Sequence, residues 1–520
     1  QGENSAWMFN ALKENLIAVA YMKSQLVSKH VVKGECILFS RYLDENKEAK
    51  EFFQPKMWAY GKSLLNREAY IKDLMKYSKP VEVGVLDCDA FEEATSRVII
   101  YMQQHGFRKC TYITDEDAIF SALNMNTAVG AMYGGKKKDY FEKFSQEEKA
   151  EILKQSCLRL YKGQLGVWNG SLKSELRTKE KIEANKTRTF TAAPIDTLLA
   201  GKVCVDDFNN QFYSMNIDCC WTVGMTKFYG GWNKLLTAIP DGWVYCDADG
   251  SRFDSSLTPY MINAVLAIRY AFMEDWDIGF KMLQNLYTEI VYTPISTPDG
   301  TIVKKFRGNN SGQPSTVVDN SLMVVLAMNY AFVKEGFLFE EVESICKFFV
   351  NGDDLLIAVR PDKEDFLDKL QKHFLELGLD YTFSSRTRDK TELWFMSHCG
   401  ISVEGTYIPK LEEERIVSIL QWDRASKPEY RLEAICAAMI EAWGYPQLIH
   451  EIRKFYSWML QQPPYKDLAS EGKAPYISEL ALKKLYLNTD IQSEELNAYL
   501  KLFAELDDEF ECAEYDVYHQ

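Results

Sequence analysis

Two adjacent acids stand inside an otherwise apolar run, KFFVNGDDLLIAV, from Lys347 to Val359. Burying one carboxylate is costly. Burying two neighbours is worse, because like charges resist ionising together. The run therefore cannot continue unbroken through a core. Asn351-Gly352 is a tight-hairpin signal, with CKFFV and LLIAV as the two strands. Alternation would send Asp353 and Asp354 to opposite faces within a strand, but at a hairpin tip both can project from the end of a sheet. Taken alone, a solvated turn accounts for them, since Asp is common in turns.

A second acidic strand end changes the weighing. YCDADGSRFD carries Asp247, Asp249 and Asp254. Asp247 and Asp249 share a face on the strand Gly242 to Asp249, by the period of two. Asp254 follows the turn at Gly250. If both acidic ends meet at one sheet edge, they make a site of hard oxygen ligands suited to Mg²⁺. Two such ions, roughly 3.5–4 Å apart, can stabilise both oxygens of a phosphoryl transfer. The six histidines are dispersed and no CxxC pair occurs, so nothing in the sequence competes for zinc. Thr258-Pro259 then fits a helix N-cap and first position. Ile262, Val265, Leu266, Arg269, Phe272 and Met273 follow at helical spacing.

The 520 residues are 47% hydrophobic, enough for a large core and about three subdomains. Mixed α and β composition predicts an α+β fold, helix-rich over about the first 120 residues and again after Gly400. A formal net charge of −15 argues against a general basic coat, yet leaves room for a local basic channel. The 12 cysteines are scattered, which reads as reduced thiols. The apolar run Leu322 to Val333 is too short to span a bilayer and contains Asn329, so a soluble protein is expected. The opening QGENSAW reads as if cut from a longer chain.

Two further stretches carry chemistry. Ser171 to Asp196 holds Lys173, Arg177, Lys179, Lys181, Lys186 and Arg188, interleaved with Glu175, Glu180 and Glu183. A salt-bridged surface explains such a run. So does a ribbon that holds a triphosphate, with Arg for bidentate contacts and Lys as a point charge. GNNSGQPSTVVDN, from Gly308, is a small-residue loop entering an apolar helix, which Ser311, Ser315 or Thr316 could cap. Its amides and hydroxyls, Asn309, Asn310, Ser311, Gln313, Ser315, Thr316 and Asn320, are denser than capping needs, and such groups read sugar hydroxyls.

In this order, NKTRTFTAAPIDTLLAGKVCVDDFNNQF, DADGSRFDSSLTP, SGQPSTVVDN, NGDDLLIA and PKLEEERIVSILQWDR resemble the palm-type RNA-dependent RNA polymerases of positive-strand RNA viruses. Within these they are most similar to the replicases of potyviruses. The resemblance implies a right-hand fold with an antiparallel-sheet palm, fingers and a helical thumb. Residues 1–240 would be an N-terminal extension and fingers. The palm would be 241–400, interrupted by a fingers insertion at about 257–305, and the thumb 401–520. Asp249 and Asp353 would be the metal ligands, with Asp354 in support and Asp247 as the alternative to Asp249. Asp254, Ser311 and Asn320 would read the ribose 2′-hydroxyl, beside Gly312 and Thr316. Lys173, Arg177, Lys181 and Arg188 would bind the nucleotide, with Arg188 as its clamp. Thr127 and Gly130 would touch template, and Lys390 would be the general acid. LWFMSH, from Leu393, resembles a primer grip. The C-terminal DVYHQ resembles a viral protease site through Val517, His519 and Gln520.

The implied activity is template-directed RNA synthesis with Mg²⁺, for which Mn²⁺ can substitute, and uridylylation of a genome-linked protein as primer. Implied partners are template and product RNA, NTPs, the viral genome-linked protein and protease, other replicase proteins and host translation factors. Membranes would be reached through viral partners, in a cytoplasmic replication complex, and the nucleus is a second implied location. A reverse transcriptase would share the paired acids, although Gly352, Asn320 and Asp254 favour ribonucleotides. A non-catalytic RNA-binding scaffold would leave the acids without purpose.

Overall fold

The computed structural model describes residues 7–12, 16–22, 34–79, 84–123, 128–130, 133–137, 141–423 and 427–489. At its centre lies a four-stranded antiparallel sheet in the order Cys346–Asn351, Asp354–Val359, Val244–Ser251, Asp380–Thr382. Phe348, Val350, Leu355, Ile357 and Val359 join Val244, Cys246 and Ala248 on one face, in the main core with the helices Cys88–Gln104, Thr316–Lys334 and Phe366–Glu376. Phe349, Leu356, Ala358 and Tyr245 point the other way, into a second core with Trp232, Leu236, Leu393 and Phe395. Both faces of the hairpin are thus covered, which is why its strands show no polar alternation.

The two strands pair as the sequence predicts, from Cys346 with Val359 to Val350 with Leu355, and the ladder runs one pair further: Asn351 pairs with Asp354, so the loop is only Gly352-Asp353. Asn351 stays in the ladder, its Nδ2 donating to Thr222 Oγ1 at 3.0 Å. Gly352 takes the left-handed φ of 58° that a tight hairpin requires, and its N–H donates to Ser321 Oγ at 2.8 Å.

The helix Pro259–Phe272 begins as expected, with the Thr258 hydroxyl accepting the Met261 N–H at 3.3 Å and proline in the first turn. At Thr316–Lys334 the expected hydroxyl cap is missing. Ser315 occupies the N-cap position, but its side chain is drawn into a buried network instead. This 19-residue helix is apolar enough to cross a membrane by length and composition, yet it is mostly buried within the protein core.

A five-stranded sheet, ordered Ile17–Tyr21, Thr301–Lys304, Pro294–Ser296, Trp168–Leu172, Thr189–Ala192, carries the basic stretch at its edge. The early helices are dispersed. Cys88–Gln104 packs in the main core, whereas Phe39, Tyr42 and Phe53, from Ile37–Glu45 and Lys47–Phe53, pack with Phe455 and Leu448 of the C-terminal helices. Local pattern cannot show such pairing across the chain. Among the described residues the cysteines are free and mostly buried.

Candidate active site

The register of the central sheet brings the two acidic strand ends together. Leu355 pairs with Ala248, so Asp354 is the next position along from the pair and lies alongside Asp249. Asp353 sits in the loop, where the buried Tyr381 hydroxyl donates to its carbonyl at 2.5 Å. Asp247 is used elsewhere: its Oδ2 accepts the Trp394 N–H at 2.9 Å. Among the described residues, Asp249 is thus the carboxylate of the pair on that strand face with no hydrogen-bond partner.

The turn Phe395–His398 supports this edge. Met396 and Ser397 both have left-handed φ, 54° and 64°, a strained arrangement for non-glycine residues. It directs the Met396 N–H to the Asp354 carboxylate. Leu393 and Phe395 of the same segment are buried core.

Crowding shows in the titration of these acids. Burial, then the charges of Asp353 and Asp249, push Asp354 from 3.8 up to about 7, against the Met396 N–H. Asp353 is raised by burial and by Asp254, and Arg188 opposes this. The native chain therefore holds more protons than the unfolded chain between about pH 4 and 7. Stability is fullest below that window and falls as pH rises through it. In metal-free buffer the melting temperature should fall from pH 5 to pH 7.5. Asp354→Asn should flatten that slope and gain about 1–2 kcal/mol at pH 7.5, allowing for solvent screening. A slope unchanged in the variant would remove Asp354 as its source.

The donor set fits a hard divalent cation, and the mutual repulsion of Asp354, Asp353 and Asp249 is the kind of strain that such a cation relieves. Among the described residues no ready-made cage of three ligating side chains occurs.

Arg188 faces these acids. Its Nε donates to Glu175 Oε1 at 2.7 Å and its Nη2 to Glu175 Oε2, while the charge of Asp353 also stabilises its cation. Glu175, one of the interleaved acids, is therefore the anchor of this arginine. Arg177 lies beside it and donates to the Lys186 carbonyl at 2.7 Å. The Lys181 ammonium is pushed down by burial and by the neighbouring Arg177 and Arg188, which favours an anionic ligand there. Lys173 lies over the Phe190 ring at 5.6 Å.

On the other flank, Asn320 Nδ2 donates to Asp254 Oδ1 at 2.9 Å. Ser311 does not join them. Its Oγ accepts the Thr191 N–H at 3.2 Å, and Gly312 donates from its N–H to the Thr191 carbonyl at 3.0 Å. Thr316 Oγ1 ties the loop by facing the carbonyls of Asn310, Ser311 and Gln313 at 2.8, 3.1 and 3.2 Å.

Lys390 is placed away from this constellation. Its ammonium donates to the Leu236 and Ile239 carbonyls at 2.8 and 2.6 Å and pairs with Asp241 at 2.7 Å. It caps the end of the helix Gly231–Ala238, which corrects the expectation of a general acid. Gly130 lies in a short hairpin opposite Tyr133. Thr127 and Gln520 lie outside the described residues.

Comparison with known proteins agrees with this architecture. The family described as viral RNA-dependent RNA polymerase matches residues 40–460. The chain is 64% identical over its whole length to part of the genome polyprotein of lettuce mosaic virus (strain 0 / isolate French), of which it spans 16%. It is likewise 64% identical, over 97% of its length, to that of plum pox potyvirus (strain El amar), spanning 33%. The same identity holds over the whole chain for turnip mosaic virus (strain Japanese), spanning 16%. Among solved structures, Sicinivirus 3Dpol RNA dependent RNA polymerase superposes with a TM-score of 0.69 at 15% identity, covering 88% of this chain and 98% of that one. That likeness identifies the fold as a right-hand polymerase, with the four-stranded sheet as its palm. By family, fold and sequence, this chain belongs to the viral RNA-dependent RNA polymerases and matches the polymerase segment of potyviral genome polyproteins.

Proposed function

We propose that this chain copies a positive-strand viral RNA genome by nucleotidyl transfer and also uridylylates a genome-linked protein as primer. The observation that carries the reading is the meeting of Asp249, Asp353 and Asp354 at one sheet edge, with Arg188 opposite and the Asp254–Asn320 pair alongside. Asp249, Asp353 and Asp354 would hold Mg²⁺ or Mn²⁺, which when bound supplies charge neutralisation at the triphosphate and activation of the primer 3′-hydroxyl.

The protein's own groups do the positioning. Glu175 fixes the Nε and Nη2 edge of Arg188, leaving Nη1 for a phosphate oxygen. Arg177, Lys181 and Lys173 add positive charge along the same path. Asp254 accepts the proton of a ribose 2′-hydroxyl, and Asn320 donates to its oxygen. A deoxyribose leaves that pair without its ligand, the kind of mismatch that separates substrates strongly.

Primer extension on an RNA template, with rNTPs against dNTPs, tests the reading. The wild-type chain should incorporate rNTPs with strong preference. Asn320→Ala should lower that preference by about tenfold, the weight of one hydrogen bond. RNA binding without incorporation would leave a scaffold as the better account.

A further inference from the structure

Asn309 stands where Ser311 was expected. It is 1% exposed and touches the Asn320 amide through its side chain and the Asp254 main-chain carbonyl through its backbone. Its Oδ1 accepts the Asn310 backbone N–H at 3.0 Å and the Gln313 Nε2 at 3.1 Å. A backbone N–H can only donate, so this contact fixes which end of the Asn309 amide is oxygen. Its Nδ2 must then face Asn320, and it donates to Asn320 Oδ1 at 2.9 Å. Asn320 is left with Nδ2 turned to Asp254, where a carboxylate can only accept. Read from either end, the chain of bonds gives one arrangement.

The backbone fixes the same residue in place. The Asn309 N–H donates to the Asp254 carbonyl at 2.8 Å, and the Tyr77 hydroxyl donates to the Asn309 carbonyl at 3.0 Å. Before it, Gly308 has φ 89°, and a Cβ there would lie 2.6 Å from the Tyr77 ring and 2.7 Å from the Asp254 carbonyl oxygen. The buried Lys305 ammonium holds the Arg307 and Gly308 carbonyls at 2.9 and 3.1 Å. Asn309 is therefore held by its backbone as well as by its side chain.

We infer that Asn309 is a positioning residue for ribose selection: it locks the Asn320 amide with its donor end towards Asp254 and the nucleotide. The inference rests on the reading of Asp254 and Asn320 given above. Asp254 holds one end of the Asn320 amide and Asn309 the other, so without the Asn309 donor only Asp254 resists turning the amide over. Turned, it would set Asn320 Oδ1 against the Asp254 carboxylate and present no donor to the sugar.

The test is the ratio of kcat/KM for rNTP over dNTP in primer extension, for wild type, Asn309→Asp, Asn309→Ser, Asn320→Ala and the double variant Asn309→Asp/Asn320→Ala. The aspartate keeps the size but sets an acceptor against Asn320 Oδ1. The serine is too short to reach it. The ratio is insensitive to the folded fraction, because both substrates meet the same enzyme, so a merely destabilised variant leaves it unchanged. Each Asn309 variant should lower the ratio by about tenfold, the weight of one hydrogen bond next to a charge. The double variant should fall no further than Asn320→Ala. A wild-type ratio in both Asn309 variants, with the ratio lost in Asn320→Ala, overturns the positioning role and leaves the ribose reading standing. An unchanged ratio in Asn320→Ala overturns both.

Discussion

Asp353→Ala and Asp249→Ala should each abolish nucleotide incorporation, with losses on the order of 10³-fold or more, because charge stabilisation is the largest lever such a site has. The folded state should not suffer. Both side chains reach solvent, Asp249 at the strand end and Asp353 in the hairpin loop, and the ionisation of Asp353 is already opposed by partial desolvation and by Asp254. Removing either acid relieves repulsion, so the melting temperature should hold or rise. Asp247→Asn makes the contrast. Asp247 is committed to the Trp394 N–H, and an amide oxygen can still accept there, so incorporation should persist. Full activity in Asp249→Ala or Asp353→Ala, measured with Mg²⁺ by primer extension, would retire the ligand assignment.

The second large effect is on folding. Arg269 and Asp319 are both fully buried and pair at 2.8 Å. Tyr287 donates to both Asp319 oxygens at 2.8 Å, and Arg269 also donates to Asn209 Oδ1 at 3.1 Å. Gln313 Nε2 reaches Asp319 Oδ2 at 2.8 Å, which joins this cluster to the loop that carries Asn309. Arg269→Met should cost about 3–5 kcal/mol, because it strands a buried carboxylate. Against a typical total of roughly 5–15 kcal/mol, that is about a fifth of the stability or more. Arg269→Met/Asp319→Leu should recover much of the loss, since a buried pair is often replaceable by apolar groups while half of one is not. Urea midpoints check this. A single variant within about 1 kcal/mol of wild type would show that water reaches the carboxylate.

The acidic hairpin was legible because its signals are local: a turn dipeptide between apolar runs, and a second acidic strand nearby in type. The extra Asn351–Asp354 pair that tightens its tip was not. Asn351 and Gly352 are told apart by Thr222 and Ser321, which come from distant segments. The buried amide cluster after Gly308 was visible as a composition, but not its internal order. Which amide meets Asn320 depends on the loop's path past Tyr77 and Asp254. Glu175 read as one acid among several in a charge run, and only folding shows that it clamps Arg188. Lys390 failed for a similar reason, since its partners are carbonyls at the end of a helix about 150 residues earlier. Arg269 sat within an apolar helical pattern, and Asp319 beside another. A charge on an apolar face is the signal that could have paired them.

The packing of Phe39, Tyr42 and Phe53 against Phe455 also sets a timetable. The chain emerges from its N-terminus, so these aromatics wait for about 400 residues of further synthesis before their partner exists. At about 5–20 residues per second, that is roughly 20–80 s with an unfinished apolar surface. The palm strands and the helix Thr316–Lys334 leave the ribosome within that interval. The packing of the Phe39 and Phe53 helices on the Phe455 helix can therefore only follow the emergence of the central sheet, and until then their apolar faces are open to chaperones or to aggregation.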